Sequence, residues 1–168
     1  MIGELISLIL ITFLPFLELR ASIPLGILGT SITIFGATFG GFQLSWPIVF
    51  LVCVSANIIL GELVFIIYTN FLSYLVTHER VLRYYERRLE KTQKKIHPYV
   101  KKFGTFGIAL FIAIPLPGSG VYTGALAAYL LGMDYKRFLL ANLIGVIIAG
   151  ILVTLITLGG VGIFHLFY

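Results

Sequence analysis

Hydrophobic and polar positions divide this chain into long apolar stretches separated by short charged ones. Residues 21–61, 103–133 and 138–168 hold no Asp, Glu, Lys or Arg. Runs of that length are solvated by lipid, because about 20 apolar residues suffice for a spanning helix. Residues 46–74 predict one such helix: Pro47 suits a first helical turn, and Trp46, Tyr68 and Tyr74 suit the interfacial aromatic belts. Residues 138–164 predict a second, with Asp134 as its N-cap and no interior proline. The other two apolar regions are broken. Residues 103–133 are interrupted by Pro115-Leu116-Pro117-Gly118-Ser119-Gly120, a run that no helix tolerates. The two pieces left are about a dozen residues each, ~18 Å long and too short to cross. Residues 2–35 are broken in the same way between Pro15 and Pro24. Each region reads as one kinked span or as a re-entrant hairpin whose breakers are Pro15 and Pro24, or Pro115 and Pro117.

Charge selects between the two readings. Eleven of the twelve Lys and Arg residues lie in 80–102 and 136–137. If residues 103–133 return to the face they entered from, both basic stretches share one side, as the positive-inside rule requires; a single crossing would separate them. The hairpin reading follows, with both basic stretches cytoplasmic and both termini outside a cell membrane that the chain crosses more than once. Hairpin and spanning helix then occur twice. Ser55-Ala56-Asn57-Ile58-Ile59 resembles Leu140-Ala141-Asn142-Leu143-Ile144, and Leu14-Pro15 through Gly29 resembles Ile114-Pro115 through Ala128. The expected fold is therefore an all-α integral membrane protein, one domain over 1–168. Repeat 1 (1–77) holds a hairpin at 2–35 and a helix at 46–74. A basic amphipathic linker helix at 78–102 rests on anionic lipid headgroups. Repeat 2 (103–168) is inverted, with a hairpin at 103–133 and a helix at 138–164. Inverted repeats with broken helices are the architecture of secondary transporters, which hold substrate and coupling ion near the midplane.

Composition sharpens this picture by exclusion. At 168 residues, 59% hydrophobic and mean hydropathy +1.04, the chain has no room for a separate soluble domain. The net charge of +5 sits in the loops between apolar segments, so it speaks for membrane topology rather than nucleic acid. Cys53 is the one cysteine and forms no intrachain disulfide. The amino terminus carries Glu4 and no basic residue, so it lacks the n-region of a cleaved signal, and residue 1 is expected to stay in the mature protein. His78, His97 and His165 are scattered without ligand spacing, so no metal is expected. No P-loop and no other cofactor signature is present, and no enzymatic activity is expected. A thin bundle of two hairpins and two crossings points to a homodimer.

Three charges fall within the lipid-buried parts: Glu18, Arg20 and Glu62. An ionised group there costs at least about 2.5–3.5 kcal/mol on insertion scales, so each needs a partner or a purpose. Glu18 and Arg20 lie at the first hairpin tip, either as a mutual ion pair or as a substrate and proton site. Desolvation favours the protonated form of a carboxyl, which suits Glu18 to carry a coupling proton. Ser22-Ile23-Pro24 and Gly118-Ser119-Gly120 each precede a returning half-helix, whose free N–H groups form anion sites. With Arg20 they would hold a phosphate or carboxylate. Asn57 and Asn142 occupy equivalent places in the two crossing helices, as substrate contacts or as interhelical hydrogen-bond partners. Glu62 either relays protons or makes a structural hydrogen bond. The leading expectation is a proton-coupled translocase of an anionic or phosphate-headed amphiphile. Export of cationic amphipathic drugs and uncoupled lipid scrambling are the alternatives.

The two tips also carry a family resemblance. Pro15-Phe16-Leu17-Glu18-Leu19-Arg20-Ala21-Ser22-Ile23-Pro24-Leu25-Gly26, and Pro115-Leu116-Pro117-Gly118-Ser119-Gly120 followed by Gly124-Ala125-Leu126-Ala127, resemble the small multidrug export family, a distant relative of the DedA/VTT membrane proteins. The resemblance covers most of the chain. It implies paired re-entrant hairpins in an inverted repeat, and transport of drugs or of lipid-linked substrates. DedA proteins place arginines in the second hairpin, whereas here the second tip is uncharged and Arg20 is in the first.

Overall fold

A computed structural model describes residues 2–15, 17–29, 31–34, 37–75, 104–115 and 119–167. The expected linker helix at 78–102, with its lipid-headgroup contacts, lies outside them, as do Pro117 and Gly118. The described residues form six helices and one short two-stranded sheet. The helices are α1 (Ile2–Thr12), α2 (Glu18–Ile27), α3 (Trp46–Leu75), α4 (Thr105–Ala113), α5 (Val121–Leu130) and α6 (Tyr135–Phe167). Strands β1 (Ser31–Ile34) and β2 (Ala37–Gly40) lie between α2 and α3 and pair antiparallel, with Ser31 opposite Gly40 and Ile34 opposite Ala37.

α3 and α6 contain spans of 25 and 26 residues, Trp46–Asn70 and Tyr135–Gly160, long and apolar enough to cross a membrane. Both expose large apolar side chains along one side, among them Leu51, Ile59, Ile67, Leu155 and Ile156, which is the surface a lipid solvent requires. Their other sides are buried in the same rhythm. With Asn57 laid on Asn142, positions 56, 57, 60, 61, 64 and 65 of α3 are buried, and so are 141, 142, 145, 146, 149 and 150 of α6.

The chain divides into two compact units, Met1–Ile58 with Val146–Tyr168, and Ile59–Gly145. Each contains one helical pair, the first half of one long helix and the second half of the other. In the first unit α1 packs on α2. A Cβ added to Gly26 of α2 would lie 2.6 Å from a Val49 methyl, so the α2 backbone meets the Val49 side chain of α3 there. Gly150 of α6 likewise sits against Val54 and Phe50 of α3. In the second unit α4 packs on α5 through Gly124 and Ile112, and Gly145 of α6 approaches the Ala109 carbonyl of α4. Small residues thus set helices at close range, the mode of packing that lipid solvent favours. Phe65 of α3 stacks on Phe138 with ring centroids 4.3 Å apart and meets Tyr135 at 6.3 Å. In the Asn57/Asn142 register, Phe65 matches Gly150 and Tyr135 matches Phe50, so this contact is the counterpart of Phe50 against Gly150.

Two expectations are corrected. The first hairpin does not extend to Phe35: its second arm ends at Ile27, and the following residues form β1 and β2. Ser31-Ile32-Thr33-Ile34 ends in three consecutive β-branched residues within a glycine-rich stretch, which favours a short strand over a helix end. The described fold is helical, six helices with this one short β1–β2 pair between α2 and α3. Nor does α2 begin after Ser22-Ile23-Pro24. It begins at Glu18, and Ser22 and Pro24 lie inside it. Proline is normally excluded from helix interiors because it gives no N–H to the carbonyl four residues earlier. Here the loss falls at the Arg20 carbonyl, and α2 ends one turn later, where Leu28 N–H bonds the Pro24 carbonyl at 2.7 Å. Pro24 is a helical residue rather than a hairpin breaker.

Candidate functional site

The first tip joins α1 to α2 through a tight turn that contains exposed Pro15. Leu14 accepts hydrogen bonds from the N–H groups of Leu17 and Glu18, and Ala21 N–H bonds Leu17, so the turn runs directly into α2. Glu18 is the first residue of α2. It is only 5% exposed, and its φ of +43° is a conformation that non-glycine residues adopt at a cost of about 1–3 kcal/mol. A strained, buried carboxyl at the end of a broken helix is a functional candidate on both counts. α2 has no side-chain cap at its N-terminus.

Glu18 and Ser22, one turn apart, are both buried, while Arg20 between them is half-buried. The Ser22 hydroxyl donates to the Glu18 carbonyl at 3.0 Å, and the Thr12 hydroxyl of α1 donates to the Leu8 carbonyl at 2.8 Å. Both hydroxyls lie within hydrogen-bond reach of the Cys53 thiol of α3. Asn57, one turn further along α3, is 2% exposed, and its Oδ1 has no hydrogen-bond partner. The first unit therefore gathers Thr12, Ser22 and Cys53, with Glu18 and Asn57 one helical turn beyond them on α2 and α3. Thr12 and Cys53 escape sequence reasoning, because a hydroxyl and a thiol inside apolar runs look like packing residues. The four-residue spacing of Cys53 and Asn57, which puts both on one face, is the signal that was available.

The second tip is built differently. Pro115 follows the end of α4, and the Ser119 hydroxyl donates back to the Ile114 carbonyl across the turn. Gly120 precedes α5 with φ of +128°, a backbone state open to glycine alone, and its carbonyl accepts the Gly124 N–H at 2.8 Å. The tip residues described here, Pro115, Ser119 and Gly120, carry no charge. Asn142 of α6 is fully buried against Gly61 of α3: a Cβ at Gly61 would lie 2.6 Å from its Nδ2. Glu62 is half-buried on the neighbouring position. Lys136 and Arg137 start α6, where Arg137 Nε lies 3.8 Å from the Asp134 carboxylate and both side chains are largely exposed. Among the described residues no cluster of His, Cys, Asp and Glu could hold a metal ion.

This distribution of charge, broken helices and spans matches a known sequence pattern. The family model described as "Putative small multi-drug export protein" matches residues 18–152. The chain belongs to the small multidrug export family. No curated protein and no solved structure matches it. The family is named for export, a transport role rather than an enzymatic one, and together with α3 and α6 it assigns this member of the small multidrug export family to the cell membrane. The match opens on Glu18, the residue at which the first tip becomes helix.

Proposed function

We propose that this chain is a secondary exporter of small cationic amphiphiles, and that Glu18 holds the positive charge of the substrate and exchanges it for a proton. One observation carries the reading: a carboxyl 5% exposed, held at positive φ where α1 gives way to α2. An acidic group at membrane depth is costly unless it meets a cation or a proton, and alternating between the two is how a carboxyl couples their movements. The matched rhythm of burial around Asn57 and Asn142, and the matched contacts Phe50–Gly150 and Phe65–Tyr135, support an inverted repeat as the frame for alternating access. Efflux of a fluorescent organic cation from proteoliposomes under a pH gradient tests the reading. It fails if Glu18→Gln, inserted normally, transports at the wild-type rate.

An anionic or phosphate-headed substrate is the second reading. It is favoured by the N-terminus of α2, the positive end of the helix dipole, which has no side-chain cap and carries Arg20 in its first turn. Loss of transport in Arg20→Ala with Glu18→Gln intact would select it. Movement of lipid without any gradient would indicate scrambling instead.

A further inference from the structure

α3 and α6 present nearly the same patch to lipid. In the register that lays Asn57 on Asn142, Ile59, Leu63 and Ile66 of α3 match Ile144, Ile148 and Ile151 of α6. All six side chains are between 40% and 54% exposed. The fourth corner of each patch differs. On α6 it is Ile147, exposed and as apolar as its surroundings. On α3 it is Glu62, half-buried. Ile59, Glu62, Leu63 and Ile66 fall at i, i+3, i+4 and i+7, so they share one face of the helix.

The acid has no internal role that the packing reveals. Among the described residues no hydrogen bond and no ion pair reaches the Glu62 side chain, whereas the carboxylate of Asp134 meets Arg137. The structural hydrogen bond that is one reading of Glu62 is therefore not made by these residues. Isoleucine fills the equivalent position of α6, so the frame of the helix does not call for a carboxyl there. Glu62 also lies well inside the span Trp46–Asn70, about 12 Å short of the Asn70 end at 1.5 Å per residue. Long Lys and Arg side chains snorkel out of such depths, and a glutamate reaches less far. A carboxyl placed there is costly unless a cation or a proton meets it.

Charge complementarity names the ligand. The carboxyl supplies one fixed negative charge in surroundings of low dielectric, where attraction to a cation is strong. Three exposed aliphatic side chains supply an apolar bed around it. A small metal ion would need several further oxygens, and the neighbours are hydrocarbon. An organic cation needs none, because its charge is carried within an apolar skeleton that already partitions into the bilayer. We infer that Glu62, with Ile59, Leu63 and Ile66, forms a lipid-facing reception site for lipophilic organic cations. The choice of ligand rests on the export reading. To that reading the site adds a point of entry from the membrane, on a different helix from Glu18.

Tetraphenylphosphonium is the probe, with the purified full chain in lipid nanodiscs. A hydrophobic carbodiimide, which modifies carboxyls accessible from lipid, should label Glu62 in mildly acidic or neutral buffer, as located by peptide mass spectrometry. Excess tetraphenylphosphonium should block that labelling. The radiolabelled cation should bind saturably, with one site fewer per chain in Glu62→Ile. That variant copies the α6 patch and should keep or raise Tm, so its loss of binding is not misfolding. Glu62→Asp retains the carboxyl and should keep the cation. The proposal is overturned if the carbodiimide leaves Glu62 untouched, which would mean that a second copy or another part of the chain covers the face. It is overturned equally if the cation gives no protection, leaving a proton as the partner of Glu62, or if Glu62→Ile binds the cation as the wild type does. Neither measurement involves transport. Protection of Glu62 without efflux of cations would reject the export reading and leave this site standing, and efflux with Glu62 unprotected would do the reverse.

Discussion

The two hairpin tips join helices of similar length and differ in chemistry. The first sets a buried carboxylic residue at φ +43° and surrounds its helix with small polar groups, Ser22, Thr12 and Cys53. The second meets a comparable backbone demand with Gly120 at φ +128° and closes its turn with the Ser119 hydroxyl. Glycine adopts positive φ at no steric cost, so the second tip resolves its geometry cheaply. The first tip keeps a carboxyl at a strained position where glycine would relieve it, which is what makes Glu18 a candidate for function.

Substitutions can break or sharpen that contrast. The largest expected effect is at Glu18, where Gln should abolish gradient-driven efflux from proteoliposomes while leaving insertion normal. No change at the second tip that preserves folding should do the same. Next is Gly61→Leu, which forces a side chain into the space of Asn142 and should cost about 1–3 kcal/mol or more, read as a lowered Tm in detergent. Gly120→Ala should follow, at about 1–2 kcal/mol for a Cβ at positive φ, with transport by the surviving folded protein retained. Asn57→Leu should leave stability unchanged or raise it by about 1 kcal/mol, because it removes a buried acceptor that has no donor. A drop comparable to that of Gly61→Leu would show that Asn57 is structural. The smallest effect is at Arg137→Ala, whose exposed contact with Asp134 should change stability by no more than about 0.5 kcal/mol.

Much of the frame was legible in the residues. Uncharged runs of more than twenty residues announce α3 and α6 with little competition, because nothing but lipid or a large core accepts them. Pro15 and Pro115 mark where the shorter helices stop, since the missing N–H and the fixed φ act locally. The start of α2 was not legible. Ser22 followed by Pro24 imitates a helix beginning, but the turn from Leu14 to Leu17 already aligns the backbone for helix at Glu18, and α2 carries Pro24 inside it. The β1–β2 pair was missed because four alternating residues are too few to stand out within an apolar stretch. At the site, Glu18, Ser22 and Asn57 were visible one by one as polar residues in apolar surroundings. Their grouping with Thr12 and Cys53 depends on the register of α2 against α3, which is set by the close approach at Gly26, and no local pattern encodes that.

The backbone at Glu18 has a consequence for anyone trying to make this protein easier to handle. Gly and Asn are the residues that accept φ +43° readily, so a library selected for heat resistance should return them at position 18 again and again. Each would relieve strain and remove a buried acid in one step. Such variants would purify well, crystallise well and transport nothing. A thermostability screen run without an activity filter would therefore discard the residue on which the proposed exchange of substrate and proton depends.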